Sequence, residues 1–316
     1  MLHHVSNGAT VEDVSSQAEI VTMGINPSRD RLHLGHYLTL LQAGKALHAQ
    51  PDAQGIFFVD DREHHHKLAN GVNDDTFRLP GYRATQHVHD LMYEFMSRVA
   101  DSLGDKRMLN RLNIKPMSNY MGMNANENDR LTKKGTLVYD QLWQHRENIN
   151  ALFEFSDSNS MQFVRPFCRD CKYSVNSDER IRAIEQGMLT NCLVPQCSTE
   201  RMFVRPSQGH MNWSMHYAVD PIRDVILADF QDKKVLHVFG GDYGIPWGLD
   251  GRPKAARMSA LMDKVAPEMV DHFVGPMLTR DGQKLAKSNG DAHEVPTIGY
   301  LDKLLSENEP VIEVAA

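Results

Sequence analysis

Three short stretches of this chain combine residue types that bind phosphate. His33-Leu34-Gly35-His36 sets two histidines at i and i+3, the spacing of one helical face. They stand just after the run Glu19 to Gly24 and the turn Ile25 to Asp30, where a helix begins near Leu32. A helix N-terminus offers N–H groups without intrahelical partners and the positive end of the helix dipole, and both suit phosphate oxygens. Gly35 leaves room for a nucleotide to press against the backbone. Asp281 to Ser288 carries Lys284 and Lys287 in a glycine-flanked loop, where two lysines can reach one polyphosphate as flexible point charges. Gly240-Gly241-Asp242 follows the apolar run Val235 to Phe239. In an open α/β sheet ligands sit beyond the carboxyl ends of strands, where glycines admit a ligand to the backbone and a carboxylate takes ribose hydroxyls. Plainer readings stand beside each: a solvated first turn in a chain with 16 histidines, a surface loop, and a tight turn with a solvated aspartate.

All four cysteines fall between 168 and 197, as Cys168-x-x-Cys171 and Cys192-x-x-x-x-Cys197. Two cysteine pairs joined by a loop of this length make a tetrahedral thiolate site that suits a structural zinc, with no position left open for catalysis. A disulfide or four thiols are the alternatives. The charged residues around the pairs predict a surface ribbon.

The elements that must position these groups follow from hydrophobic periodicity. Glu19 to Gly24 and Gly55 to Val59 read as buried strands. Between them Leu34, Leu38 and Leu41 share a helical face, so the segment is a βαβ unit and predicts a parallel sheet. Residues 82–105 form a long helix with Val88, Leu91, Met92, Phe95, Met96 and Val99 apolar. Val235 to Phe239 is another buried strand, Pro253 to Leu261 a helix, Thr279 to Asp291 a polar loop, and Ile298 to Leu305 a last helix. The expected organisation is an arm at 1–18, a first half of the sheet domain at 19–105 and a connecting insertion at 106–205 with the cysteine segment at 165–200. A second half at 206–275 and a loop with a short helix at 276–316 follow.

With 316 residues, 41% hydrophobic and 24% charged, the chain can bury a large core as about two domains or one with an insertion. No window is long and apolar enough for a membrane helix. Glu12, Asp13 and Glu19 leave no apolar signal region, so a cytoplasmic protein without membrane partners is expected. The net charge of −7 excludes a generic basic coat for nucleic acid, and DNA is not an expected partner; a local basic groove stays open. Lys106 to Lys115 and Arg130 to Lys134 are the basic stretches such a groove would use.

Together and in this order, the three motifs resemble the catalytic domain of class I aminoacyl-tRNA synthetases. His33-Leu34-Gly35-His36, with Gly24-Ile25-Asn26-Pro27-Ser28 before it, is similar to the HIGH signature. Lys284-Leu285-Ala286-Lys287-Ser288 is similar to KMSKS in three of five positions. The resemblance implies a Rossmann-like (HUP-type) parallel sheet split by a helical and zinc-ribbon insertion. It implies a ligase that joins an amino acid to AMP from ATP, with magnesium, ahead of protein biosynthesis. His33, His36, Lys284 and Lys287 would stabilise the phosphates. Gly24, Asn26, Gly35, Gly240, Gly241, Asp242 and Ser288 would hold ATP. Asp60 and Asp61, at a strand end where a carboxylate can receive an α-ammonium, would bind the amino acid with Trp213 and Tyr243.

The cysteine segment, the stretch around Trp213 and the Gly240-Gly241-Asp242-Tyr243 turn look most like class I lysyl-tRNA synthetases. The stretch after Ser288 leaves room for one short helix and a tail, so an anticodon-binding domain is not expected there. The acceptor is then a tRNA acceptor stem, a small molecule or a carrier protein. The alternatives are a biosynthetic amino-acid ligase without tRNA, an HxGH nucleotidyltransferase, and a non-catalytic synthetase paralog.

Overall fold

The computed structural model describes residues 18–25, 32–59, 81–116, 128–154, 161, 163–166, 168, 170, 181–192, 194–195, 197, 201–205, 213–215, 233–240, 251, 256–258, 260–261, 272–274, 277–280, 283–284, 295–306 and 311–313. Of 81–85, 128–135, 213–215, 272–274, 277–280, 283–284, 306 and 311–313 the backbone alone is described. The expected α/β fold is what this chain builds. Strands β1 (Ile20–Ile25), β2 (Gln54–Val59), β3 (Leu112–Pro116), β9 (Val235–Phe239) and β10 (His272–Val274) form one sheet. Its order is β10-β9-β1-β2-β3, and every pairing is parallel. Such a sheet is covered on both faces, which is why its strands read as nearly unbroken apolar runs.

Alternation along the strands separates the two faces. Val21, Met23 and Ile25 of β1, Phe57 and Val59 of β2, and Leu236 and Val238 of β9 pack with α1 (Leu34–Ala49), α2 (Gly81–Leu103) and α6 (Ile298–Ser306). Helix α1 is buried on nearly every side, because sheet, α2 and α6 enclose it. Gly44 is required at its crossing with α2: a Cβ there would lie 2.7 Å from Val99 Cγ1. Helix α6 is seated on α1 by Leu301 and Leu304 and by a Lys45–Asp302 ion pair at 2.8 Å.

The second face carries Ile20, Phe58, Val235 and Phe239 under α4 (Asn128–Gln144), α5 (Arg146–Phe153) and the cysteine segment. That segment holds the antiparallel sheet β5 (Arg182–Ile184), β6 (Gly187–Thr190) and β7 (Met202–Val204). The Tyr139 hydroxyl docks α4 onto it, 2.8 Å from the Ile184 carbonyl oxygen and 2.7 Å from that of Gly187. Burial holds this phenol well above its ordinary pKa. β4 (Val164–Pro166) pairs antiparallel with β8 (Trp213–Met215). A helical segment at 256–261, between β9 and β10, sends Met258 and Leu261 to this face.

Several expectations change. The fifth strand of the sheet, β3, comes from residues assigned by sequence to the insertion. It follows the one-turn helix α3 (Met108–Arg111) and pairs with β2 from Gly55↔Leu112 to Val59↔Pro116. The polar stretch from Thr279 is not all loop: β11 (Met277–Arg280) and β12 (Gln283–Lys284) pair antiparallel. The chain does not stop being ordered at α6, because β13 (Val311–Glu313) pairs parallel with β11. Cys168 is fully buried in the second-face core and is no surface residue.

Candidate active site

The sheet order defines where a ligand can sit. The chain winds from β1 through α1 to β2, and through α2 to β3, on one face. It leaves β9 for β10 through 256–261 on the other. The winding therefore reverses between β1 and β9, and the crevice beyond their carboxyl ends is the topological switch point of an open α/β sheet. Glu19 fixes the other end of this strand pair. Its carboxylate accepts hydrogen bonds from the Lys234 N–H and Lys233 Nζ, each at 3.1 Å, and these hold its pKa below the usual range.

His33 and Gly240 are described members of two of the motifs singled out by sequence. His33 is the N-cap of α1, in extended conformation at φ −107° and ψ 167°, and His36 is at N3. The His33 N–H donates to His36 Nδ1 at 3.3 Å, and the two rings stack with centroids 3.6 Å apart. This arrangement fixes the tautomer. Nδ1 of His36 accepts, so its remaining hydrogen is on Nε2, which is the ring's donor. The first turn holds no acidic residue to offset the helix dipole. Gly35 has a structural reason that sequence reasoning missed: a Cβ there would lie 3.0 Å from His33 Cε1 and 3.1 Å from Nδ1. Gly240 directly follows β9, across the crevice from the end of β1.

The lysine motif begins in a hairpin. Arg280 pairs with Gln283 and Thr279 with Lys284, so the Asp281-Gly282 dipeptide between them is the strongest short hairpin signal a sequence offers. β11 lies against α1, the helix whose first turn carries the histidines. Asn26, Asp60, Asp61, Gly241, Asp242, Tyr243, Lys287, Ser288 and Cys171 lie outside the described residues. Trp213 lies in β8, paired with Pro166, away from the five-stranded sheet's ladder.

Cys168, Cys192 and Cys197 are brought together. Their sulfurs all lie within 4.8 Å of one another, and Cys168 Sγ is 3.6 Å from Cys197 Sγ. A disulfide needs about 2.05 Å. A tetrahedron with metal–sulfur bonds of about 2.3 Å has edges of about 3.8 Å, so the Cys168–Cys197 separation is that of two ligands around one ion. The Val194 N–H donates to Cys192 Sγ at 3.4 Å, which stabilises a thiolate. These three residues can therefore hold a metal ion.

Arg111, one of the basic residues suited by sequence to an acceptor groove, is spent inside the fold. Its guanidinium donates to the carbonyls of Gln50 and Ala53 at 2.8 Å and of Leu47 at 3.0 Å, capping the far end of α1. Lys106 pairs with Asp101 at 3.3 Å. Among the described residues no helix is long and apolar enough to cross a membrane.

No family model matches the chain, and no curated protein matches it. Several solved structures are similar to it. A tyrosyl-tRNA synthetase from Archaeoglobus fulgidus, complexed with L-tyrosine, is 12% identical at a TM-score of 0.43, over 92% of this chain and 65% of that one. A product-bound parasite tRNA synthetase is 14% identical at 0.41, over 88% and 55%. The tryptophanyl-tRNA synthetase of Giardia lamblia is 12% identical at 0.39, over 86% and 57%. The chain thus spans less than two thirds of the length of each. At these identities and TM-scores the likeness fixes neither activity nor substrate.

Proposed function

We propose that this chain activates an amino acid with ATP, forming an aminoacyl-adenylate and releasing pyrophosphate, in the manner of a class I aminoacyl-tRNA synthetase. The observation that carries the reading is the His33–His36 pair, set as N-cap and N3 of α1 at the switch point of the sheet. The amino-acid carboxylate attacks the α-phosphorus, and negative charge grows on the phosphate oxygens as pyrophosphate leaves. The chain's part is positioning and charge stabilisation. Helix α1 presents its dipole and the Nε2–H of His36. Lys284 and Lys287 supply positive charge to the leaving pyrophosphate. Gly240, Gly241 and Asp242 receive the adenosine, and Asp60 and Asp61 receive the substrate ammonium. The activated amino acid passes to a tRNA acceptor stem or to a small-molecule or protein acceptor. The test is ATP–pyrophosphate exchange by the full chain against each amino acid, followed by transfer to total tRNA. No exchange with any amino acid, by protein that binds ATP, refutes the reading.

Gly35→Ala separates activity from stability. Alanine gains about 1 kcal/mol of helix propensity over glycine. Its methyl group must displace the His33 ring. The exchange rate is expected to fall roughly tenfold, while the thermal midpoint holds or rises. Unchanged kinetics would remove the His33 ring from the phosphate site.

Zinc is proposed for the cysteine cluster, with Cys171 as its fourth ligand and magnesium travelling with ATP. Protein purified under zinc-replete, reducing conditions is expected to hold about one zinc per chain, and Cys192→Ser to lose it. Because ligand binding by such sites is coupled to folding, the variant should also expose the β5–β7 segment to protease. Elemental analysis finding no zinc in the parent protein would end this assignment.

A further inference from the structure

The last described stretch of the chain joins two elements that carry phosphate-binding motifs. One end of it is fixed by side chains. Leu301 and Leu304 of α6 are buried in the first-face core with α1, and Val295, Ile298 and Leu305 pack against the same core. Asp302 adds an ion pair with Lys45 of α1 at 2.8 Å. Helix α1 is the one that begins with His33 as its N-cap. The other end is fixed by backbone. β13 pairs parallel with β11 through Met277↔Val311, Leu278↔Ile312 and Thr279↔Glu313. β11 pairs in turn with β12, and Thr279 is the register partner of both Glu313 and Lys284. The ladder thus runs without a gap from β13 to the first lysine of the lysine motif.

The hairpin has a physical need for this third strand. β11 and β12 share two register pairs, Thr279↔Lys284 and Arg280↔Gln283. A two-stranded hairpin alone is marginally stable in water, and a third strand or a helix packed on it is what gives such a unit stability. Both of its covalent connections are short. Gly275 and Pro276 alone separate β10 from β11, which keeps the hairpin within about 11 Å of the carboxyl end of the five-stranded sheet. Glu307 to Pro310 join α6 to β13, so β13 begins at most about 18 Å from the end of α6. The hairpin is therefore held between the sheet and a helix that is itself seated on α1, and β11 lies against α1 as well.

We infer that residues 298–313 form a strap that positions the β11–β12 hairpin, and with it Lys284, relative to α1. This deepens the activation reading and rests on it only for what the lysine does. Helix α6 is the anchor and β13 is the arm, and both are positioning elements that act through Lys284. Lysine is a flexible point charge, so the place of its backbone decides which phosphate oxygens it reaches. Misplacing a charge-stabilising group by about 1 Å can cost on the order of 100-fold in rate.

The test compares the full chain with a chain ending at Ser306, which keeps α6 and lacks β13, and with Ile312→Pro. Proline fixes φ and removes an N–H, so it disrupts a ladder of three residues. Amide hydrogen exchange across Met277 to Lys284 is expected to speed up at least tenfold in both variants, with Ile20 to Ile25 unchanged. Pyrophosphate exchange at saturating substrates is expected to slow more than tenfold, while the dissociation constant of the amino acid and the thermal midpoint hold. Ile312→Val, which keeps the backbone donor, should match the parent in every readout. Unchanged hydrogen exchange across the hairpin overturns the inference, as does faster hydrogen exchange with turnover intact. Slower turnover that comes with a lowered thermal midpoint in both variants also overturns it, because β13 would then support the fold at large. A parent chain that shows no pyrophosphate exchange with any amino acid removes the activation reading, and the strap is then decided by hydrogen exchange alone.

Discussion

His36→Ala is expected to slow pyrophosphate exchange by about 100- to 1,000-fold at saturating ATP and amino acid, the usual cost of removing one preorganised donor to developing charge. The affinity for ATP should change far less, because the charge that His36 meets is largest as pyrophosphate departs and not in the bound ground state. The geometry supports a specific form of this loss. The His33 N–H holds His36 Nδ1 and leaves Nε2 as the donor. Alanine removes that donor and also a cap to the helix, worth about 1 kcal/mol of stability. The protein therefore stays folded, and circular dichroism with an unshifted unfolding midpoint, to within a few degrees, separates catalysis from collapse. Lys287→Ala is expected to slow the same reaction more than tenfold. Wild-type exchange kinetics in His36→Ala would take the histidine out of the reaction.

The first βαβ unit was legible because its residues repeat one physical pattern. Ile20 to Ile25 and Gln54 to Val59 are apolar on both sides, which only a doubly covered parallel strand requires, and Leu34, Leu38 and Leu41 mark the helix between them. Val235 to Phe239 was legible for the same reason. β3 was not, because Leu112 to Pro116 is half polar and ends in proline; it is an edge strand, and only its pairing with β2 identifies it. β11 and β13 are short strands that gain their meaning from a partner distant in sequence. Of the site, the residue types and spacing of His33, Gly35 and His36 were readable, but the reason for Gly35 was not. A glycine that makes room for the ring two residues before it leaves no periodic trace. The cysteine cluster was readable from spacing, whereas the burial of Cys168 depends on α4 and the sheet, which spacing does not report.

Arg257 left no motif at all, and its loss is expected to lower stability. Its guanidinium is fully buried, donates to the Leu152 carbonyl and pairs with Glu154 at 2.9 Å. It thus ties the 256–261 helix to the end of α5, where Glu154 adopts a left-handed conformation at φ 54°. Arg257 is buried but Glu154 is exposed, so water can take over the carboxylate, and the main loss is the hydrogen bond to the Leu152 carbonyl and the packing of the guanidinium, about 1–3 kcal/mol. Arg257→Met, which keeps most of the side-chain volume, is expected to lower the urea unfolding free energy by about that amount. Glu154→Gln alone should cost much less, because its carboxylate is exposed, and the non-additivity of the two changes measures the pair directly. The 256–261 helix also carries the chain from β9 toward β10, so the loosened state should lose exchange activity through the position of Gly240 before it unfolds. A loss below about 1 kcal/mol in Arg257→Met would mean that the second-face core closes around Leu152 and Glu154 without the guanidinium, and that the winding reversal at β9 is held by apolar packing alone.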